Sequence, residues 1–292
     1  MITDFLSQDA VGTDDTDFTL FNAHILLTHG VSVTPEQVEN EWHDKLLSGK
    51  YYYRPGGFSD VISTRNLAAG LHTPQSGSFN HQMWSDGVAM AISAAGIASA
   101  GDPQQAARIA SVLGGISNGR DGIYAAQAVA AAISVGMVGA SVTEMFQAAL
   151  HAAPTDCWTR RAMQRIALLD LTNCDTDIAL QRIEENLVVS WWYWADLVTE
   201  AVPVAFAVFL ASAGGFARAV PMGVRIGRDA DTIAAIVGSL CGVYGGVDAI
   251  PEAWQRRVQA STGKCIGFVG GQVIAEVADR LVNELAARSM AS

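Results

Sequence analysis

An all-helical fold is predicted for this chain of 292 residues by three observations: apolar residues recur at helical spacing, alternating strand patterns are scarce, and helix-start signals punctuate the sequence. Phe18, Phe21 and Ile25 fall at i, i+3, i+7, on one helical face. Thr34-Pro35-Glu36-Gln37 carries an N-cap hydroxyl, a proline suited to the first helical position and a glutamine placed to close a capping box. Val38, Trp42 and Leu46 continue that helix with one buried face. Ala106, Ile109, Ala110 and Leu113 repeat the pattern between Pro103 and Gly114, as do Ile274, Val277, Leu281 and Leu285 near the end. Tyr51 to Asn80, rich in Gly, Pro, Ser and Asn, reads as a long surface excursion. With no polar linker, repeat or low-complexity run, residues 1–292 are expected to form a single compact domain of orthogonally packed helices.

Half of the residues are apolar and 16% are charged, which provides for a substantial core and excludes a disordered chain. Lys and Arg number 18 against 29 Asp and Glu, a net charge of −11. That balance argues against non-specific nucleic-acid binding and against docking on an anionic membrane. Gly122 to Thr143 and Ala201 to Ala217 are long and uncharged, but the first is too weakly apolar and the second too short to span a bilayer. Both are expected as buried helices. Met1-Ile2-Thr3-Asp4 has no leader character, and Cys157, Cys174, Cys241 and Cys265 lack CxxC spacing. A cytoplasmic protein with free thiols is the resulting expectation.

Common catalytic motifs fail. Gly115 to Gly119 matches GxSxG, but a nucleophile elbow needs a strand where this sequence is helical. No phosphate loop ending in GK[ST] and no HExxH is present, and no two of the six histidines lie at i, i+4. Two acidic clusters remain. Thr13-Asp14-Asp15-Thr16-Asp17 precedes the helix at Phe18, and Gly227-Arg228-Asp229-Ala230-Asp231-Thr232 precedes the helix Ile233 to Tyr244. Helix capping explains one such side chain at each place, not several. Hard cations take oxygen ligands, and a pair of ions needs several carboxylates. Asp14, Asp15, Asp229 and Asp231, with the Thr13 and Thr232 hydroxyls, could supply that shell if folding joins the clusters. An EF-hand fails, because Ala234 and Leu240 would stand where its glycine and glutamate belong. Ala234, Gly238 and Gly242 form a bare stripe for close helix approach, which would hold the second cluster against the core.

Gly227 to Ala235, continuing through Gly238, Gly242 and Gly245 to Ile250-Pro251-Glu252-Ala253-Trp254, resembles the C-terminal signature of the ADP-ribosylglycohydrolase family. Thr13-Asp14-Asp15-Thr16 is similar to that family's first metal motif. Ser85 to Ala91 resembles its Gly-Asn-Gly-Ala-Ala-Met-Arg element, and Glu200-Ala201-Val202-Pro203 a family helix with Glu and Pro at this spacing. The resemblance implies an all-α fold, two Mg²⁺ or Mn²⁺ ions on Thr13, Asp14, Asp15, Asp229, Asp231 and Thr232, and hydrolysis of a glycosidic bond to ADP-ribose. The substrate would be an ADP-ribosylated protein or small molecule; the alternatives are a non-catalytic ADP-ribose-binding or structural relative and an N-glycosidase of a free ribosylated metabolite. Asp86 and Ala91 stand where the family has Asn and Arg. With twelve residues before Thr13, the family's upstream helix and its carboxylate are expected to be missing, which should expose apolar surface; an upstream start site, a partner chain or self-association covering the gap, or a repurposed relative would each account for it. Asp86 or Asp17 is expected to replace the lost acid. The run Trp191-Trp192-Tyr193-Trp194 reads mainly as packing, with stacking on adenine as the alternative, and Asn118 to Asp121 reads as a solvated turn.

Overall fold

The computed structural model describes residues 12–172 and 174–291. Met1 to Asp4, and any element upstream of Gly12, lie outside the described residues. Among the described residues, twelve helices of seven residues or more carry the fold: α1 (Asp14–His29), α2 (Pro35–Glu41), α3 (Phe58–Ala68), α4 (Pro103–Gly114), α5 (Asp121–Gly136), α6 (Val142–Ala152), α7 (Trp158–Arg165), α8 (Thr176–Leu187), α9 (Val198–Ala211), α10 (Phe216–Ile226), α11 (Ala230–Gly245) and α12 (Ile274–Ala291). Short helical turns at Gly87–Met90 and Ser93–Ala98 lie between α3 and α4. Among the described residues, β-structure is confined to three isolated bridges.

The two uncharged segments form the centre. α5 buries almost every side chain, and its alanines let α4, α6 and Ser93–Ala98 pack closely around it. α9 is equally buried and contacts α5, α7, α8 and α11. It ends at Ser212, where Gly214 takes a left-handed φ of 75° and turns the chain into α10. No helix among the described residues is long and apolar enough to cross a membrane.

The Thr34 capping box forms as its sequence predicts: the hydroxyl accepts from the Gln37 N–H, and the Gln37 side chain accepts from the Thr34 N–H. Val38, Trp42 and Leu46 are buried, the last two on a π-helical turn that extends α2. The small-residue stripe on α11 receives α10 over part of its length. A Cβ on Gly223 of α10 would lie 3.4 Å from the Ala234 Cα, whereas Gly242 faces open space.

Three sequence expectations are corrected. Tyr51 to Asn80 is no surface excursion: it contains α3, and Ser59, Asp60, Ser63, Ser76 and Asn80 are buried. The Asn80 amide ties it inward by donating to the Ser59 and Ser117 carbonyls. Asn118 is likewise buried and donates to the Ser85 carbonyl, so the turn it begins is not solvated there. The aromatic run is not core: Trp191 and Tyr193 are 81% and 86% exposed.

Candidate functional site

Two helix N-termini meet at the site. Thr13 is the N-cap of α1 and Asp229 that of α11, and neither side chain makes the usual capping hydrogen bond. The Thr13 hydroxyl donates instead to Asp15 Oδ2 at 2.7 Å. Capping therefore does not account for these side chains. Before α11 the backbone turns sharply, with φ of 73° at Gly227 and 56° at Arg228. α1 and α11 pack against each other, which brings carboxylate oxygens of Asp14, Asp15 and Asp231 within 4.8 Å of one another. Thr232 is buried beside them, its hydroxyl against the Met90 sulfur.

A third strip of chain completes the wall. The bridge between Ser85 and Leu197 holds two loops side by side, with the Asp86 N–H donating to the Asp196 carbonyl at 3.1 Å. Both carboxyls thus enter one cavity of about 330 Å³, shared with Asp14, Asp60, Asp229 and Asp231. Phe58, Met90 and Trp194 supply its apolar surface, and among the described residues no Lys, Arg or His lines it. Gly56 lies so close to Asp14 that a Cβ there would fall 2.2 Å from Oδ2.

Burial, and behind it the closeness of like charges, raises the proton affinity of several of these carboxyls. Burial, with smaller contributions from Asp14 and Asp231, raises Asp15 to about 6 against the Thr13 hydrogen bond. Burial and then Asp231 raise Asp229 to about 7. Asp60 also rises to about 7 through burial, opposed by the Gly57 and Gly56 N–H groups that it accepts. Asp86 is 3% exposed and lies well above the carboxylate range, through burial and then Asp229 and Asp196. Buried oxygens of Asp15, Asp86 and Asp196 have no hydrogen-bond partner. Hard-oxygen donors, unpaired and mutually repelling, fit a divalent cation and could hold one on Asp14, Asp15 and Asp231.

The structure thus brings Thr13, Asp14, Asp15, Asp229, Asp231, Thr232 and Asp86 to one place. Asp17 is the exception. Its carboxylate is fully buried one helical turn away, where Oδ2 accepts the N–H groups of Cys265 and Ile266 at 2.8 and 3.1 Å. It anchors the loop before α12 and does not line the cavity. Asp60 and Asp196 were not among the sequence candidates. Asp60 had a signal, since Gly57 followed by an acid three residues on is a helix start; Asp196 had none, because a single bridge places it.

Against this geometry stands a match to the ADP-ribosylglycohydrolase family model across residues 2–290. The chain belongs to the ADP-ribosylglycohydrolase family. An ADP-ribosylhydrolase ARH3 from Mus musculus is 30% identical over 95 residues, 29% of this chain and 24% of that protein. The Homo sapiens ADP-ribosylhydrolase ARH3 is 28% identical over 92 residues, 28% of this chain and 23% of that protein. The matched stretch therefore spans about a quarter of these curated relatives. A solved structure described as an ADP-ribosylglycohydrolase-related protein complex superposes with a TM-score of 0.60 at 20% identity, over 96% of this chain and 82% of that one. This ADP-ribosylglycohydrolase chain shares the all-α fold of that structure.

Proposed function

We propose that this chain is a cytoplasmic, metal-dependent hydrolase that cleaves the glycosidic bond between ADP-ribose and its acceptor. The observation that carries the reading is the meeting of Asp14, Asp15 and Asp231 oxygens within 4.8 Å at two packed helix N-termini. Thr13, Asp14, Asp15, Asp229, Asp231 and Thr232 would hold two Mg²⁺ or Mn²⁺ ions. Such ions supply positive charge and Lewis acidity beside the ribose. Asp86 acts as the acid. Its carboxyl is buried, and burial followed by Asp229 and Asp196 raises its proton affinity, which suits it to donate to the departing acceptor as water adds to the ribose carbon. Phe58 and Trp194 line the apolar side of the cavity.

The acidic lining of the cavity, with Asp14, Asp60, Asp86, Asp196, Asp229 and Asp231 repelling a diphosphate, favours a second reading, glycosidic cleavage of a free ribosylated metabolite smaller than ADP-ribose. The test is incubation with Mg²⁺ and either ADP-ribosyl-arginine or a panel of free ribosides, with released sugar quantified by mass spectrometry. Metal-dependent release of ADP-ribose that disappears in Asp231→Ala supports the first reading. Release from the free ribosides alone supports the second. Full activity in a folded Asp231→Ala variant overturns the metal site altogether.

A further inference from the structure

Among the six carboxyls that line the cavity, Asp196 is left without a role by the metal clusters, the start of α3 and the acid. Asp14, Asp229 and Asp231 belong to the two acidic clusters at the helix N-termini. Asp60 is engaged by the Gly56 and Gly57 N–H groups, which donate to its Oδ2 at 3.2 and 3.3 Å. Asp86 supplies the proton for the departing acceptor. Asp196 differs from Asp60 in that its Oδ1 is buried and has no hydrogen-bond partner among the described residues.

The backbone around Asp196 is nevertheless held on both sides. Before it, Arg228 Nη2 donates to the Trp194 carbonyl at 3.0 Å, and Arg228 Nε pairs with Glu200 Oε1 at 2.8 Å. Glu200 Oε2 in turn accepts the Val189 N–H at 2.6 Å. After it, Leu197 bridges to Ser85, and the Val198 N–H donates to the Trp84 carbonyl at 3.2 Å. The Asp196 carbonyl itself accepts the Asp86 N–H at 3.1 Å. The main chain is thus fixed directly beside the acid, while one oxygen of the side chain stays free to accept from a molecule in the cavity. An unpaired buried oxygen is costly, and a donor that enters the site offsets that cost.

Hydrolysis needs such an acceptor. Water adding to the ribose carbon must lose a proton, and a positioned carboxylate is a suitable base. We infer that Asp196 is that base, acting in the same cavity as the acid Asp86. The inference rests on the hydrolase reading above and deepens it. A bond forms between the water oxygen and the ribose carbon as the bond from that carbon to the acceptor breaks. The acceptor leaves with the bonding electron pair and takes the Asp86 proton, and Asp196 takes one proton of the water. Proton exchange with solvent then returns both carboxyls to their starting states.

The test measures kcat and KM of wild type, Asp196→Asn and Asp86→Asn, each with Mg²⁺. Two substrates are compared: the ribosyl substrate that the wild-type chain cleaves, and the 4-nitrophenyl glycoside of the same ribosyl group. 4-Nitrophenolate departs without a proton, so that glycoside bypasses the acid while its water must still lose one. Asp196→Asn should lose about 100-fold or more in kcat on both substrates, with KM unchanged. Asp86→Asn should lose as much on the first substrate and recover most of it on the glycoside. Asp196→Asn should also keep the rise in melting temperature on adding Mg²⁺, as a folded chain with an intact metal site would. Turnover near wild type in Asp196→Asn, its recovery on the glycoside, or loss of its Mg²⁺-dependent rise overturns the base and leaves the functional reading standing. No release of sugar by the wild-type chain from any ribosyl substrate overturns both.

Discussion

At the residue scale, the two carboxyls expected to carry the proton have separated into different jobs. Asp86 is buried at the cavity with an unpartnered oxygen, and neighbouring acids favour its protonated form. Asp17, about one helical turn beyond Asp14 on α1, accepts two backbone N–H groups. Removing its side chain leaves those donors buried and unpaired. Asp17→Ala should therefore cost about 2 kcal/mol in urea unfolding, with turnover per folded molecule close to wild type. Asp86→Ala should lower turnover at least 100-fold with a smaller loss of stability. The opposite ranking would return the proton to Asp17. Asp14 and Asp17 sit three apart on one helix, so no pattern in the residues alone assigns the side of the cavity. The neighbours that decide it, Cys265 and Ile266, are some 250 positions away.

At the scale of elements, α1 and α2 are joined by one carboxylate. Glu41 accepts from His24 and His29, each at 3.0 Å. Burial pushes Glu41 upward, but the two imidazole hydrogen bonds outweigh it and hold the group below the usual carboxylate range. A depressed folded-state pKa means that protons bind preferentially to the unfolded chain. The contribution of Glu41 is then present above its unfolded value and is lost as pH falls through the folded one. The difference in melting temperature between wild type and Glu41→Gln should be largest near pH 7 and should shrink below about pH 4.5. A difference that is flat across pH 4 to 7 would show that the bridge does not act through its charge. The helices themselves were readable because their signals are local. The Thr34 capping box, the face from Pro103 to Gly114 and the stretch of α12 depend only on spacing within one or two turns. The segment holding α3 was misread for the converse reason: its Gly, Pro and Ser content suggests a loop, while its burial depends on hydrogen bonds from Asn80 to Ser59 and Ser117.

For the whole molecule, the arrangement concentrates negative charge where the fold has its helix N-termini. The N-terminal dipoles of α1 and α11 offset part of that repulsion, and a cation would offset the rest. A metal that binds the native state alone must stabilise it by mass action, by about 2.7 kcal/mol at a concentration 100-fold above its dissociation constant. Thermal unfolding with added Mg²⁺ or Mn²⁺ should rise by several degrees, fall back with EDTA, and fail to rise in Asp231→Ala. An equal rise in that variant would place the ion elsewhere.

The sequence by itself determined the helical architecture and the identity of both acidic clusters. Periodicity, capping and carboxylate spacing are properties of short stretches of chain. Only the tertiary structure decided that α1 and α11 meet and that a single bridge sets Asp86 beside Asp196. It also decided that Asp17 is taken up by the loop before α12 and that Glu200 and Arg228 hold the backbone of the aromatic run, whose Trp191 and Tyr193 face solvent rather than the core. Each of these depends on contacts between residues tens to hundreds of positions apart, and such contacts follow from how the helices pack rather than from any one helix.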